Sequence, residues 1–100
     1  MAVKLIMTWD IAQGREQEYF EFVVREFLPG VQRLGFELSD AWATAYGSHP
    51  QILVGAILPS LSKARQLLGS TEWKSLHNQL QDLITNYTEK IVPAKPGFQF

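Results

Sequence analysis

The chain has 100 residues, 46% of them apolar and 19% charged, with a net charge of -1 at pH 7, the size and balance of one globular domain spanning 1–100. The absence of cysteine excludes disulfides, thiolate metal sites, cysteine nucleophiles and thiol redox switching together. Scattered Lys and Arg with a pI near 6.1 leave no electrostatic footprint for nucleic acid, and no run of about 18 apolar residues offers a membrane span.

The chain begins with strand-like residues rather than an export signal, so the cytoplasm is the expected location. Val3 to Trp9 reads as a first strand that is apolar on both faces, a pattern expected where both sides are covered. Asp10 to Gly14 forms a connector. From Arg15 onward, Phe20, Val23, Val24, Phe27, Val31 and Leu34 recur at helical spacing, with Glu16 and Glu18 at the positive end of the helix dipole and an expected i,i+4 pair between Glu21 and Arg25. Pro29 falls inside this stripe and predicts a kink or short break; Gly35 ends the element.

Glu37 to Tyr46 alternates small Ala41, Ala43 and Ala45 with Trp42, Thr44 and Tyr46, which predicts a strand whose small face lies under the helices or allows close backbone approach. Gly47 to Pro50 has turn chemistry and joins it to Gln51–Leu58 as a hairpin. Ser60 is placed to cap a helix from Leu61 to Leu68, and Ser70 to cap a second. Trp73, Leu76, Leu80, Leu83, Ile84 and Tyr87 extend that last stripe. Lys90 to Phe100, broken by two prolines, reads as an edge strand or a segment that crosses to another chain.

The order β-α-β-β-α-α-β predicts an α+β, ferredoxin-like antiparallel four-stranded sheet with helices on one face. The other face then stands uncovered. Depending on strand parity it carries members of Leu5, Met7, Trp9, Trp42, Tyr46, Val54 and Leu58, or Ile6, Leu53 and Ile57. Leaving five such side chains in water forfeits on the order of 7–15 kcal/mol, so a homodimer with stacked sheets is expected.

Three short motifs resemble the dimeric α/β-barrel superfamily: Gly14-Arg15-Glu16-Gln17-Glu18-Tyr19 at the start of the first helix, Phe27-Leu28-Pro29 near its end, and Ser70-Thr71-Glu72-Trp73-Lys74-Ser75-Leu76-His77 opening the last. The Glu72-Trp73 opening and the C-terminal strand are similar to NIPSNAP-like proteins. That resemblance implies a stand-alone protein of unassigned reaction that binds a small apolar or aromatic ligand. The antibiotic-biosynthesis monooxygenase branch often has a His where His77 stands, and implies cofactor-free oxidation of a flat aromatic substrate. Haem-degrading relatives use such a His as the iron ligand, with an Asn on the first strand and a Trp about ten residues before the His. Here that strand carries Met7, Thr8 and Asp10, and Leu67 stands in the second place, so no cofactor is expected, haem at His77 being the one alternative.

Candidate site residues follow. His77 is a candidate base, as is Asp10 where burial raises its affinity for a proton. Trp9, Trp42, Tyr46 and Trp73, with Thr44 and Thr8, are candidates to line a ligand cavity; the four aromatics are equally placed to fill a dimer core. His49 lies in the hairpin turn, and with His77 it lacks metal-ligand spacing, so no metal is expected. A packed, non-enzymatic interaction module is the remaining alternative.

Overall fold

The computed structural model describes residues 1–43 and 51–94. Strands β1 (Val3–Ile11), β2 (Glu37–Ala43), β3 (Ile52–Leu58) and β4 (Ile84–Pro93) form one antiparallel sheet in the order β2-β3-β1-β4. Helices α1 (Glu16–Phe22), α2 (Leu28–Leu34), α3 (Leu61–Leu68) and α4 (Thr71–Gln81) complete it, giving the expected ferredoxin-like α+β fold. Thr44, Tyr46, His49 and the end of the expected C-terminal strand lie outside the described residues.

Parity on β1 is settled. Leu5, Met7 and Trp9 are buried and join Phe27, Val31, Trp73 and Leu80 in the core beneath the helices. The opposite face carries Ile6, with Leu53 of β3 opposite Thr8, and Ile57 of β3 and Val92 of β4 opposite Lys4, on the same side. Trp42 pairs with Leu53 on that face and is 52% exposed. The uncovered set is therefore the smaller of the two expected ones with Trp42 added from the larger, and Ile6 within it is only 7% exposed. It is also partly polar: Lys4 of β1 reaches across Gly55 of β3 to pair with Asp40 of β2. Trp9 and Trp73 lie on the helix side, away from any dimer core built on this face. Ala41 and Ala43 pair with the helix-side residues Val54 and Ile52 but stay exposed, so the small face of β2 is not roofed as expected.

The first helical stripe runs through Pro29 without a break. α1 and α2 are joined by a π-helical stretch, Val23–Phe27, a wider coil. Pro29 has no N–H for the carbonyl four residues back and its ring crowds that carbonyl; widening ahead of it removes the conflict. The extra residue shifts the phase, so Tyr19 and Phe27 are buried while Phe20 and Val24, expected in the core, are 54% and 65% exposed. Glu21 accepts from Gln17 rather than pairing with Arg25, and the ion pair of this segment joins Arg15 to Glu18. Gly35 ends α2 at φ +107°; its N–H donates to Gln32 O and that of Phe36 to Val31 O, a Schellman-type closure.

Both serine caps form as expected. Ser60 Oγ accepts from Lys63 N–H and Ser70 Oγ from Trp73 N–H, at 3.0 and 3.2 Å. The last helix is shorter than the stripe predicts. α4 ends at Gln81, and Ile84 and Tyr87 belong to β4, an edge strand that starts earlier than expected.

Candidate functional site

Under the helices the sheet carries a continuous aromatic cluster. The Trp9 ring stacks on Tyr87, stands edge-on to Phe27, and its Nε1–H donates to Tyr19 Oη at 2.9 Å. Trp73 stacks on Phe36 and on His77, at centroid distances of 5.4 Å each. His77 in turn stands edge-on to Tyr87 at 4.7 Å. Three predicted site residues, Trp9, Trp73 and His77, thus share one cluster. Tyr19 and Tyr87, which sequence reasoning did not single out, complete it.

His77 is half-buried. Its Nε2 lies 2.8 Å from Gln81 Nε2, and its Nδ1 is enclosed without a hydrogen-bond partner. Burial lowers the imidazole pKa and the nearby Glu89 carboxylate opposes that shift, so a neutral ring is favoured. Tyr87 Oη–H donates to Glu89 Oε1 at 2.8 Å. Burial, the bond to Glu89 and its charge together raise the phenol pKa far above its ordinary value. The Tyr19 phenol is raised by burial too, against the opposing bond from Trp9.

Asp10 sits elsewhere. Alternation along β1 turns it to the face opposite Trp9. It is 4% exposed, and its two oxygens accept from Gln51 N–H and from Asn86 Nδ2, both at 2.9 Å. It ties the end of β1 to the start of β3 and to a bulge in β4, the work of a framework carboxylate. Thr8 meets Thr88 hydroxyl to hydroxyl across the β1–β4 ladder. Trp42 lies on the uncovered sheet face, apart from the cluster. Among the described residues no three His, Asp or Glu are grouped to hold a metal, and no helix is long and apolar enough to cross a membrane.

A groove of about 730 Å3 opens between the N-terminal end of α3 and β4. Glu89, Ile91 and Pro93 pair with Met7, Leu5 and Val3, so their side chains share the helix side with Tyr87. A row therefore runs along β4 from the aromatic cluster into the groove, where Leu61 and Arg65 of α3 face it. The volume falls within the usual ~300–1,000 Å3 of small-molecule sites. Nothing in the sequence flagged this groove, because its walls come from Leu61 and Arg65 of α3 and from β4 residues more than twenty positions away, which only the tertiary fold brings together.

No protein-family model matches the chain, and no curated protein matches it in sequence. Solved structures do. A NIPSNAP family protein from Agrobacterium tumefaciens is similar with a TM-score of 0.71 at 21% identity, over 96% of this chain and 95% of that one. An uncharacterised NIPSNAP-like domain protein from Burkholderia xenovorans gives 0.73 at 16%, over 98% and 89%. An EthD (ethyl tert-butyl ether) family protein from Bacillus halodurans gives 0.70 at 17%, over 95% and 100%. Likeness at such identities carries the architecture and leaves the chemistry to the residues. The chain has the ferredoxin-like fold of these NIPSNAP-family and EthD-family proteins, and its resemblance to the NIPSNAP group extends along nearly its whole length.

Proposed function

We propose that the protein is a homodimer that binds a small apolar or aromatic molecule in the groove between α3 and β4 of each subunit. The observation that supports binding is the groove itself: Val3, Leu61, Ile91 and Pro93 give it an apolar wall, and Arg65 and Glu89 supply polar contacts. Few polar groups on a mostly apolar concave surface is the usual make-up of a small-molecule site. The dimer rests on the uncovered sheet face, where Ile6, Leu53, Ile57, Val92 and Trp42 share one side.

The test is binding of a neutral aromatic probe, N-phenyl-1-naphthylamine, read by its fluorescence. Micromolar binding is expected, and it is lost in Leu61→Glu, a change at an exposed position that leaves the fold intact. No enhancement with the wild-type protein overturns the reading. Sedimentation equilibrium tests the assembly: a dimer is expected that Ile57→Lys converts to folded monomer, and a wild-type monomer at tens of micromolar refutes it.

A second reading, cofactor-free oxygenation of a flat phenol, is favoured by one observation, the enclosed and unpartnered Nδ1 of a neutral His77. In it His77 takes the substrate proton, and Asp10, with its oxygens engaged, stays structural. This reading uses His77 as a base and calls on no haem. Oxygen uptake with polycyclic phenols that disappears in His77→Ala supports this reading; no uptake in the wild type rejects it.

A further inference from the structure

We infer that Gln81 and Tyr87 are positioning residues that hold neutral His77 in the form protonated on Nδ1, leaving Nε2 as the basic nitrogen of the ring. This deepens the proton-abstraction reading above and rests on it for its catalytic meaning. The place of the proton on the ring, though, is a property of the folded chain with or without a substrate. His77 and Gln81 are four apart at the end of α4, neighbours on one helix face. The amide nitrogen of Gln81 lies 2.8 Å from Nε2. An amide nitrogen only donates, so Nε2 accepts and the ring proton belongs on Nδ1.

The surroundings of Nδ1 agree. The two ends of a glutamine amide are alike in shape, and the neighbouring groups decide which one faces the ring. Turning the amide over would put the proton on Nε2 and leave a bare lone pair on Nδ1. That atom is closed off from water, and among the described residues it meets no hydrogen-bonding group. What stands beside the imidazole is the Tyr87 ring, its centroid 4.7 Å away and its plane at 73°. The face of an aromatic ring is its negative side; it repels a lone pair and attracts an N–H. Trp73 stacks on the flat of the imidazole, 28° from parallel, and keeps that edge turned to Tyr87.

The catalytic consequence concerns direction. In the abstraction step the O–H bond of the substrate phenol breaks, the new N–H bond forms on Nε2, and a phenolate is left beside an imidazolium. The Gln81 amide yields its place to the substrate hydroxyl, so the substrate reaches the ring from the Gln81 end of α4. The charge that develops on the ring is met by the aromatic faces of Trp73 and Tyr87. It is met also by the Glu89 carboxylate, which opposes the lowering of the imidazole pKa that burial imposes.

Nitrogen-15 NMR of the full chain labelled on histidine, at pH 7.5 and without ligand, reads the proton's place directly. The His77→Phe spectrum separates the His77 signals from those of His49, the other histidine of the chain. Protonated Nδ1 with a bare Nε2 is expected, favoured about five-fold or more over the other form, as one net hydrogen bond allows. Gln81→Glu, whose carboxylate only accepts, is expected to draw the proton to Nε2, and Tyr87→Leu to bring the two forms toward equal populations. Wild-type His77 protonated mainly on Nε2, or equally on both nitrogens, overturns the inference even if a variant fails to fold, and leaves oxygen uptake to judge the abstraction reading by itself. Protonated Nδ1 without oxygen uptake upholds the positioning and rejects that reading.

Discussion

The imidazole of His77 stands edge-on to the phenol of Tyr87, with planes at 73°, so the ring is held from below by β4 and from the side by Trp73 of its own helix. This setting fixes the sign of a pH effect. Burial lowers the His77 pKa below its ordinary 6.5, and the unfolded chain therefore binds the proton more readily than the native one. Stability from this group is whole above the unfolded value, declines as pH falls through it, and levels off once pH lies below the native value. The groups facing the ring are Glu89, Tyr87 and Gln81, of which Glu89 carries the charge. Urea melts at pH 5.5, 6.5 and 7.5 are expected to show falling stability toward acid, with a smaller slope in His77→Phe. An unchanged slope in that variant contradicts the assignment.

Asn86 sits at φ +57° in the bulge where Asn86 and Tyr87 of β4 together oppose Trp9 of β1, and its amide holds Asp10. Left-handed backbone costs a residue with a Cβ about 1–2 kcal/mol, which Asn tolerates and Gly avoids. Asn86→Ala removes the bond to Asp10 on top of that strain and is expected to lose about 2 kcal/mol, Asn86→Gly about 1 kcal/mol. Thermal or urea unfolding ranks the three; Ala equal to Asn would remove the bulge from the account.

The same bulge explains why part of the fold was hidden from the sequence. Tyr87 follows Ile84 by three residues rather than two on the buried side of β4, because Asn86 is the inserted one. Three is also a helical interval, so Trp73 through Tyr87 reads as one uninterrupted helix face. The π-helical stretch deceives in the opposite way, making exposed Phe20 and Val24 look like core. Where spacing is undisturbed the reading holds: the two serine caps, the Gly35 terminus, the β2–β3 hairpin pairing and the order of elements all follow from local chemistry. The candidate site was half legible. Trp73 and His77 are four apart on one helix and share the core side with Trp9, but Tyr87 joins them only through tertiary register.

Gly55 lies under the Lys4–Asp40 pair. A Cβ there would stand 2.9 Å from Asp40 Oδ2 and 3.0 Å from Lys4 Cε, so Gly55→Ala must part the two charges. A loss of about 1–3 kcal/mol is expected. In an Asp40→Ala background, with the crowding atom and the pair already gone, the same change is expected to cost less than half as much. Equal penalties in a double-mutant cycle would show that the glycine matters for another reason.

Ser70 works in two directions. Its hydroxyl donates to Leu67 O at 2.6 Å and accepts from Trp73 N–H, joining the end of α3 to the start of α4. Ser70→Ala is expected to cost about 1 kcal/mol, as loss of an N-cap does. A shift in the Trp73 fluorescence should accompany it, since the cap bonds that residue's backbone. Stability within 0.3 kcal/mol of wild type, roughly the noise of such measurements, counts against a capping role.

The wide coil between Phe22 and Leu28 acts as a phase adjuster. Each residue of a helix turns the chain by about 100°, so one surplus residue rotates everything on its N-terminal side relative to Pro29 and beyond. Tyr19 meets Trp9 only with that rotation in place. Excising a single residue there would swing Val24 inward and carry the phenol away from the indole, unpicking the aromatic cluster from a point two turns distant.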